Sequence, residues 1–164
     1  MSGTVSLENS DSVAWVTLSH PGKFNAMSRL MWRELRAVFQ QVQQSREVTC
    51  VVVCGHRLKG SPEGTGHFCA GGDISEYAGF RFNETSLRDF HENDVWGGLQ
   101  AMLDCDVPIL AQIEGNCMGP AWKLPVAATS GLPATPPALV RQLPSSAFPW
   151  RRARRRWSCA PWAS

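Results

Sequence analysis

From Ala121 to Ser164 the chain has no aspartate and no glutamate. A stretch without acids cannot build the alternating ion pairs that lace an exposed helix. Nowhere is an apolar run long enough to span a bilayer, and the N-terminus lacks a basic start followed by an apolar segment. A soluble, cytoplasmic protein with no membrane partner is the expectation. No pair of cysteines has CxxC spacing, and no Cys/His set has the spacing of a zinc site. The cysteines at 50, 54, 69, 105, 117 and 159 therefore read as reduced thiols, several within apolar runs where a small core residue fits. No metal is expected.

The net charge of +2 hides an asymmetry. Residues 1–120 hold 9 Lys/Arg against 14 Asp/Glu, a net of −5; residues 121–164 hold 7 basic residues and no acid, a net of +7. Seven of the eleven prolines and four of the seven tryptophans also lie beyond Ala121, with a block at Arg151–Arg156. No amphipathic helix or strand pair is legible there. The expected division is an ordered domain over 1–119 and an aberrant, disordered Pro/Arg-rich tail over 120–164. Such a tail can bind polyanions by counterion release. It carries no folded nucleic-acid module, so no specific nucleic acid is expected.

Ahead of that break the pattern is that of an α/β domain. Thr4–Leu7 and Val13–Leu18 are β-branched runs separated by turn residues, which predicts a hairpin. Ser28 can cap a helix over roughly 29–44, with Leu30, Met31, Leu35, Val38, Phe39 and Val42 on its apolar face. Cys50–Cys54 is a continuous apolar run, as for a strand covered on both faces. A second helix is predicted over much of 84–103, with Leu87, Phe90, Val95, Leu99 and Met102 inward and Gly97-Gly98 weakening it. Val107–Ile113 is a further buried strand. Two glycine-containing loops, Ala70-Gly71-Gly72-Asp73 and Glu114–Gly119, follow the two buried strands. Ligands of α/β proteins bind beyond the carboxyl ends of strands, so both loops are expected at one pocket.

Together and in this order, His20-Pro21…Asn25-Ala26, Phe68–Ile74 and Pro108…Glu114-Gly115…Gly119 resemble the enoyl-CoA hydratase/isomerase (crotonase) superfamily. The resemblance covers about residues 3–119. It implies the N-terminal half of a crotonase ββα-spiral that acts on acyl-CoA thioesters, with coenzyme A as part of the substrate and no separate cofactor. It also implies homo-oligomers, trimers or hexamers, built by a half not legible here. An enolate-like oxygen would sit between two backbone N–H donors, at Ala70 and at position 120. Gly71, Gly72, Asp73 and Gly119 would shape the acyl-CoA pocket, and Lys23, Asn25 and Ala26 would help hold CoA. A catalytic glutamate of the hydratases would match position 123.

The chain departs from that pattern where it matters most. Pro120 has no N–H to donate. Lys123 is a cation in place of a carboxylate, and residues 57–65 look like an insertion. The genetic code suggests a cause. Trp is TGG and Lys is AAA or AAG, so Trp122-Lys123 read one base earlier must give Leu, Met or Val followed by Glu. A frameshifted translation from about 120 onward is the resulting hypothesis. Impaired or absent activity follows, with two alternatives: a non-catalytic acyl-CoA binder or subunit of an intact paralogue, and a polyanion binder acting through the tail. Asp73 and Glu114 are expected to brace their loops. His20, His67 and His91 are expected to lack catalytic roles, and Cys69 and Cys117 are expected to pack rather than react.

Overall fold

The computed structural model describes residues 2–57, 66–119, 123–128 and 130–133. Strands β1 (Thr4–Ser10) and β2 (Val13–Ser19) form the expected hairpin. The turn places Asp11 at φ 53°, a left-handed conformation that aspartate tolerates. Helix α1 follows at Arg29–Gln44, and Ser28 accepts a hydrogen bond from the Met31 amide at 3.2 Å. That cap satisfies one of the donors a helix start leaves orphaned. The buried stripe is Met31, Trp32, Leu35, Val38, Phe39 and Val42. Leu30, expected inward, is exposed, and Trp32 takes its place in the core.

Strand β3 (Cys50–Gly55) runs parallel to β2, and Val51, Val52 and Val53 are all buried. The predicted second helix is real but broken in type: α2 (Ile74–Tyr77) stands apart from it, and α3 (Glu84–Asp89) passes through a π-helical turn, Phe90–Val95, into α4 (Trp96–Asp104). The π turn carries Asp94, a buried carboxylate bonded to Arg29 and Arg33 of α1 at 2.7 and 2.6 Å. Gly98 does more than weaken its helix. A Cβ there would lie 3.0 Å from the Trp32 carbonyl oxygen, so α4 crosses α1 closely only because that position is glycine.

Strand β4 (Ile109–Ile113) pairs parallel with β3. Ala14, Val16 and Leu18 of β2, Val51 and Val53 of β3, and Ile109, Ala111 and Ile113 of β4 enter one core with α1 and α4. Fully burying a large apolar side chain such as Leu35 or Phe39 contributes about 1.5–3 kcal/mol.

Past Gly119 the expectation of a wholly disordered tail needs correction. Helix α5 (Lys123–Ala127) and strand β5 (Ser130–Pro133) are present, and β5 extends the sheet to the order β1-β2-β3-β4-β5 by pairing parallel with β4. The physical reason is a single apolar contact face. Leu124 and Ala128, one helical turn apart, are buried in the main core cluster. Pro125 sits in the first turn of α5, where a missing N–H breaks no helical bond. The tail beyond Pro133, the Arg block, Pro120 and most of the proposed insertion lie outside the described residues. Among the described residues, no helix is long and apolar enough to cross a membrane.

Candidate functional site

The two glycine-containing loops meet. The Phe68 amide donates to Glu114 O at 2.8 Å, Cys69 N to Asn116 O at 3.1 Å, and Met118 N back to Cys69 O at 3.0 Å. Cys69 and Cys117 thus form a parallel bridge. Gly119 closes the contact: at φ 55°, a Cβ added there would lie 3.7 Å from Gly71 Cα. A cavity of about 310 Å³ lies at the ends of β2, β3 and β4, lined by Thr17, Cys54, His56, Arg57, His67 and Glu114; Glu114 comes from the second loop, and no residue of Ala70–Asp73 lines it.

The other edge of the first loop is bonded to the turn after β2. Ala70 N donates to Phe24 O at 3.0 Å, Met27 N to Gly71 O at 2.7 Å, and Asp73 N to Met27 O at 2.8 Å. The Ala70 amide, expected to face a ligand, is therefore engaged within the chain. Its neighbour differs. Met27 bridges Gly72 through the flanking Gly71 carbonyl and Asp73 amide. Parallel bridging of that kind turns the N–H of the bridged residue itself to the opposite side. Gly72 is partly exposed.

Lys23, Asn25 and Ala26 form the frame behind this loop. Asn25 is buried in a left-handed conformation, φ 58°. Its side chain accepts from His20 N at 3.1 Å and donates to His56 O at 3.1 Å and His67 O at 2.8 Å. Those bonds join the ends of β2 and β3 to the start of the first loop. Asn25 is spent on those bonds, and both Asn25 and Ala26 are buried. Lys23 reaches Asp73 Oδ2 at 2.6 Å and Ser75 Oγ at 2.7 Å.

Asp73 acts as a brace. Its side chain caps α2 through Ser75 N at 3.1 Å and also accepts from Ser75 Oγ at 2.7 Å. Burial alone would raise its pKa, but the bonds from Lys23 and Ser75 outweigh that and hold it below the usual value. Glu114 pairs with Arg57 at 3.7 Å. His20 is buried, its Nδ1 2.7 Å from Ala26 O. His67 packs edge-on against Phe24, with ring centroids 4.6 Å apart. His91 is on an exposed face. Burial pushes the Cys69 thiol up to about 11 and Cys117 to about 12, so neither is a ready nucleophile. Cys50, Cys54, Cys69, Cys105 and Cys117 are all unbridged.

Sequence reasoning missed α2 and its role. Asp73-Ile74-Ser75-Glu76 has the spacing of a capping box, a signal that was available. Here Glu76 turns outward and accepts from the Arg29 amide at 2.8 Å, capping α1 instead of its own helix. Lys123 begins α5 and is half-buried. Among the described residues no group of His, Cys, Asp and Glu is arranged to hold a metal.

Residues 8–130 match the Enoyl-CoA hydratase/isomerase family model. The chain belongs to the enoyl-CoA hydratase/isomerase family. A probable enoyl-CoA hydratase of Rhodobacter capsulatus is 31% identical over 126 residues, 76% of this chain and 44% of that protein. The Caenorhabditis elegans protein B0272.4 is 30% identical over 118 residues, 72% of this chain and 42% of that protein. A solved enoyl-CoA hydratase/carnithine racemase of Magnetospirillum magneticum superposes with a TM-score of 0.72 at 26% identity, covering 79% of this chain and 46% of that one. The fold is thus the crotonase fold in its N-terminal part, and the chain spans less than half the length of these relatives.

Proposed function

We propose that this family member binds an acyl-CoA thioester, with the thioester carbonyl oxygen directed at backbone amides in the cleft between Gly72 and Gly119. The observation that carries the reading is the direct pairing of Phe68–Cys69 with Glu114–Met118, which brings Gly119 beside Gly71. Gly72 replaces Ala70 as the first donor, because the Ala70 amide is bonded to Phe24. An amide fixed by its neighbours stabilises developing negative charge without reorganising during the reaction. The inherited reaction class is hydration or isomerisation of an enoyl-CoA through an enolate-like state, in keeping with the names of the relatives.

Turnover by this chain is proposed to be low. Pro120 has no N–H for the second donor position, and Lys123 places a cation where the family resemblance puts the carboxylate that handles water. The frameshift hypothesis accounts for both and is tested by sequencing the gene across codons 115–125. For the protein, calorimetry with butyryl-CoA and with free CoA is the primary test. Tighter binding of the thioester, with crotonyl-CoA turned over at less than about 1 per second, is the expected result. Equal affinity for the two ligands would sink the oxygen-binding role of the cleft, and fast turnover would sink the claim of impairment.

A further inference from the structure

The geometry points to Lys23 as a positioning residue: it clamps Asp73 and thereby fixes the direction of the Gly72 amide without touching the substrate. This inference rests on the reading that Gly72 receives the thioester oxygen. The Gly72 peptide is bracketed by two bonds to Met27, through Gly71 O at 2.7 Å and Asp73 N at 2.8 Å. One end of that bracket is therefore the Asp73 backbone. Asp73 is 5% exposed, a buried carboxylate immediately after the amide in question. Its Oδ1 is satisfied locally by Ser75, and its Oδ2 is held from across the cleft wall by the Lys23 ammonium at 2.6 Å. His20 Nε2 stands 4.0 Å from the same oxygen.

Lys23 is itself pinned. Its amide donates to His20 O and its carbonyl accepts from Ala26 N, at 3.1 and 3.0 Å. The neighbouring carbonyl of Phe24 takes the Ala70 amide. One short turn thus grips the amide-bearing loop at Ala70 by backbone and at Asp73 by charge. A buried carboxylate that loses its cation must move toward water or find another partner. Either response pulls on the residue whose amide N–H holds Gly72 in register. Lys23 keeps 42% of its side chain exposed, so the alternative role of a direct contact with a CoA phosphate has to be separated by experiment.

Acetoacetyl-CoA separates them, because its enolate absorbs in the near ultraviolet and reports on the amide donors, whereas free CoA does not. Wild-type protein is expected to show the enolate band and to prefer acetoacetyl-CoA over CoA. Lys23→Met is expected to lower that preference about tenfold, the scale of coupling between residues in contact, while CoA affinity stays within about twofold. Asp73→Asn should do the same, and the double variant should be no worse than either single one. Lys23→Arg should restore the band. Circular dichroism confirms folding, and if Asp73→Asn does not fold, Lys23→Gln takes its place in the series. Equal weakening of CoA and acetoacetyl-CoA would make Lys23 a phosphate contact and overturn the inference, as would no change in either. A wild-type protein with no band and no thioester preference would instead overturn the functional reading beneath it.

Discussion

On the near side of the cleft, the Phe68–Asp73 segment is bonded along one edge to the turn at Phe24–Met27, and Lys23 holds its last carboxylate. The far side, Glu114–Gly119, is bonded to that near segment through Phe68, Cys69 and Met118. The near side leans on the hairpin end and on α1, and the far side leans on the near side. The Gly72 peptide is held by Met27, so its direction is set by residues within the first 75 positions. The far segment runs into Pro120, which has no N–H to donate, and on to a half-buried Lys123. In the proposed reading the first donor thus keeps its frame while the second position has no donor at all.

The sharpest test of this dependence lies at the hinge of the far side. Gly115 and Gly119 share φ 55°, so both pay the left-handed penalty when substituted, about 1–2 kcal/mol. They differ in space. A Cβ at Gly115 would land on the Gly66 carbonyl oxygen, whereas one at Gly119 meets only Gly71 Cα at 3.7 Å. Gly115→Ala is expected to destabilise by about 4 kcal/mol or more, read as a drop in the urea midpoint. Next in size is Leu124→Ala, at about 3 kcal/mol for removing a fully buried leucine. Its loss would show that α5 belongs to the same cooperative core; an unchanged midpoint would put the boundary of that core back at Gly119. Gly119→Ala should cost only the conformational penalty. Similar losses at Gly115 and Gly119 would break the distinction between hinge and tip.

Hydrophobic period carried most of the architecture. Helix α1 with its Ser28 cap and the hairpin were legible from period, and strands β3 and β4 from short apolar runs, β-branched in β3, each ending at a glycine turn. The meeting of the two loops was legible from their common place after two buried strands, and the family resemblance pointed the same way. Leu124 and Ala128 are only two residues in a Pro-rich, acid-free stretch, too few to establish a period, so α5 escaped notice. The π turn escaped for another reason. It carries Asp94, whose pairing with Arg29 and Arg33 is long-range and encoded by no local pattern. Within the first loop, which backbone groups are engaged was not legible: Phe24 takes the Ala70 N–H and Met27 brackets the Gly72 peptide, both more than forty positions away along the chain.

The smallest expected effect concerns charge, and it divides the two sides again. In the folded protein Asp73 is held below its ordinary value of 3.8, because Lys23 and Ser75 outweigh the opposing effect of burial. A carboxyl whose folded pKa is depressed adds stability that is fully present above the unfolded value. That contribution fades as pH falls through the folded value. Wild-type protein should therefore lose urea stability below about pH 3.8, and Asp73→Asn should lack that part of the slope. Lys123→Met, on the far side, should leave the acid slope as it is in wild type. Should Asp73→Asn and wild type differ by the same amount at pH 7 and at pH 3, the carboxylate's charge would not be what Lys23 grips. The near side would then be held by its backbone bonds alone.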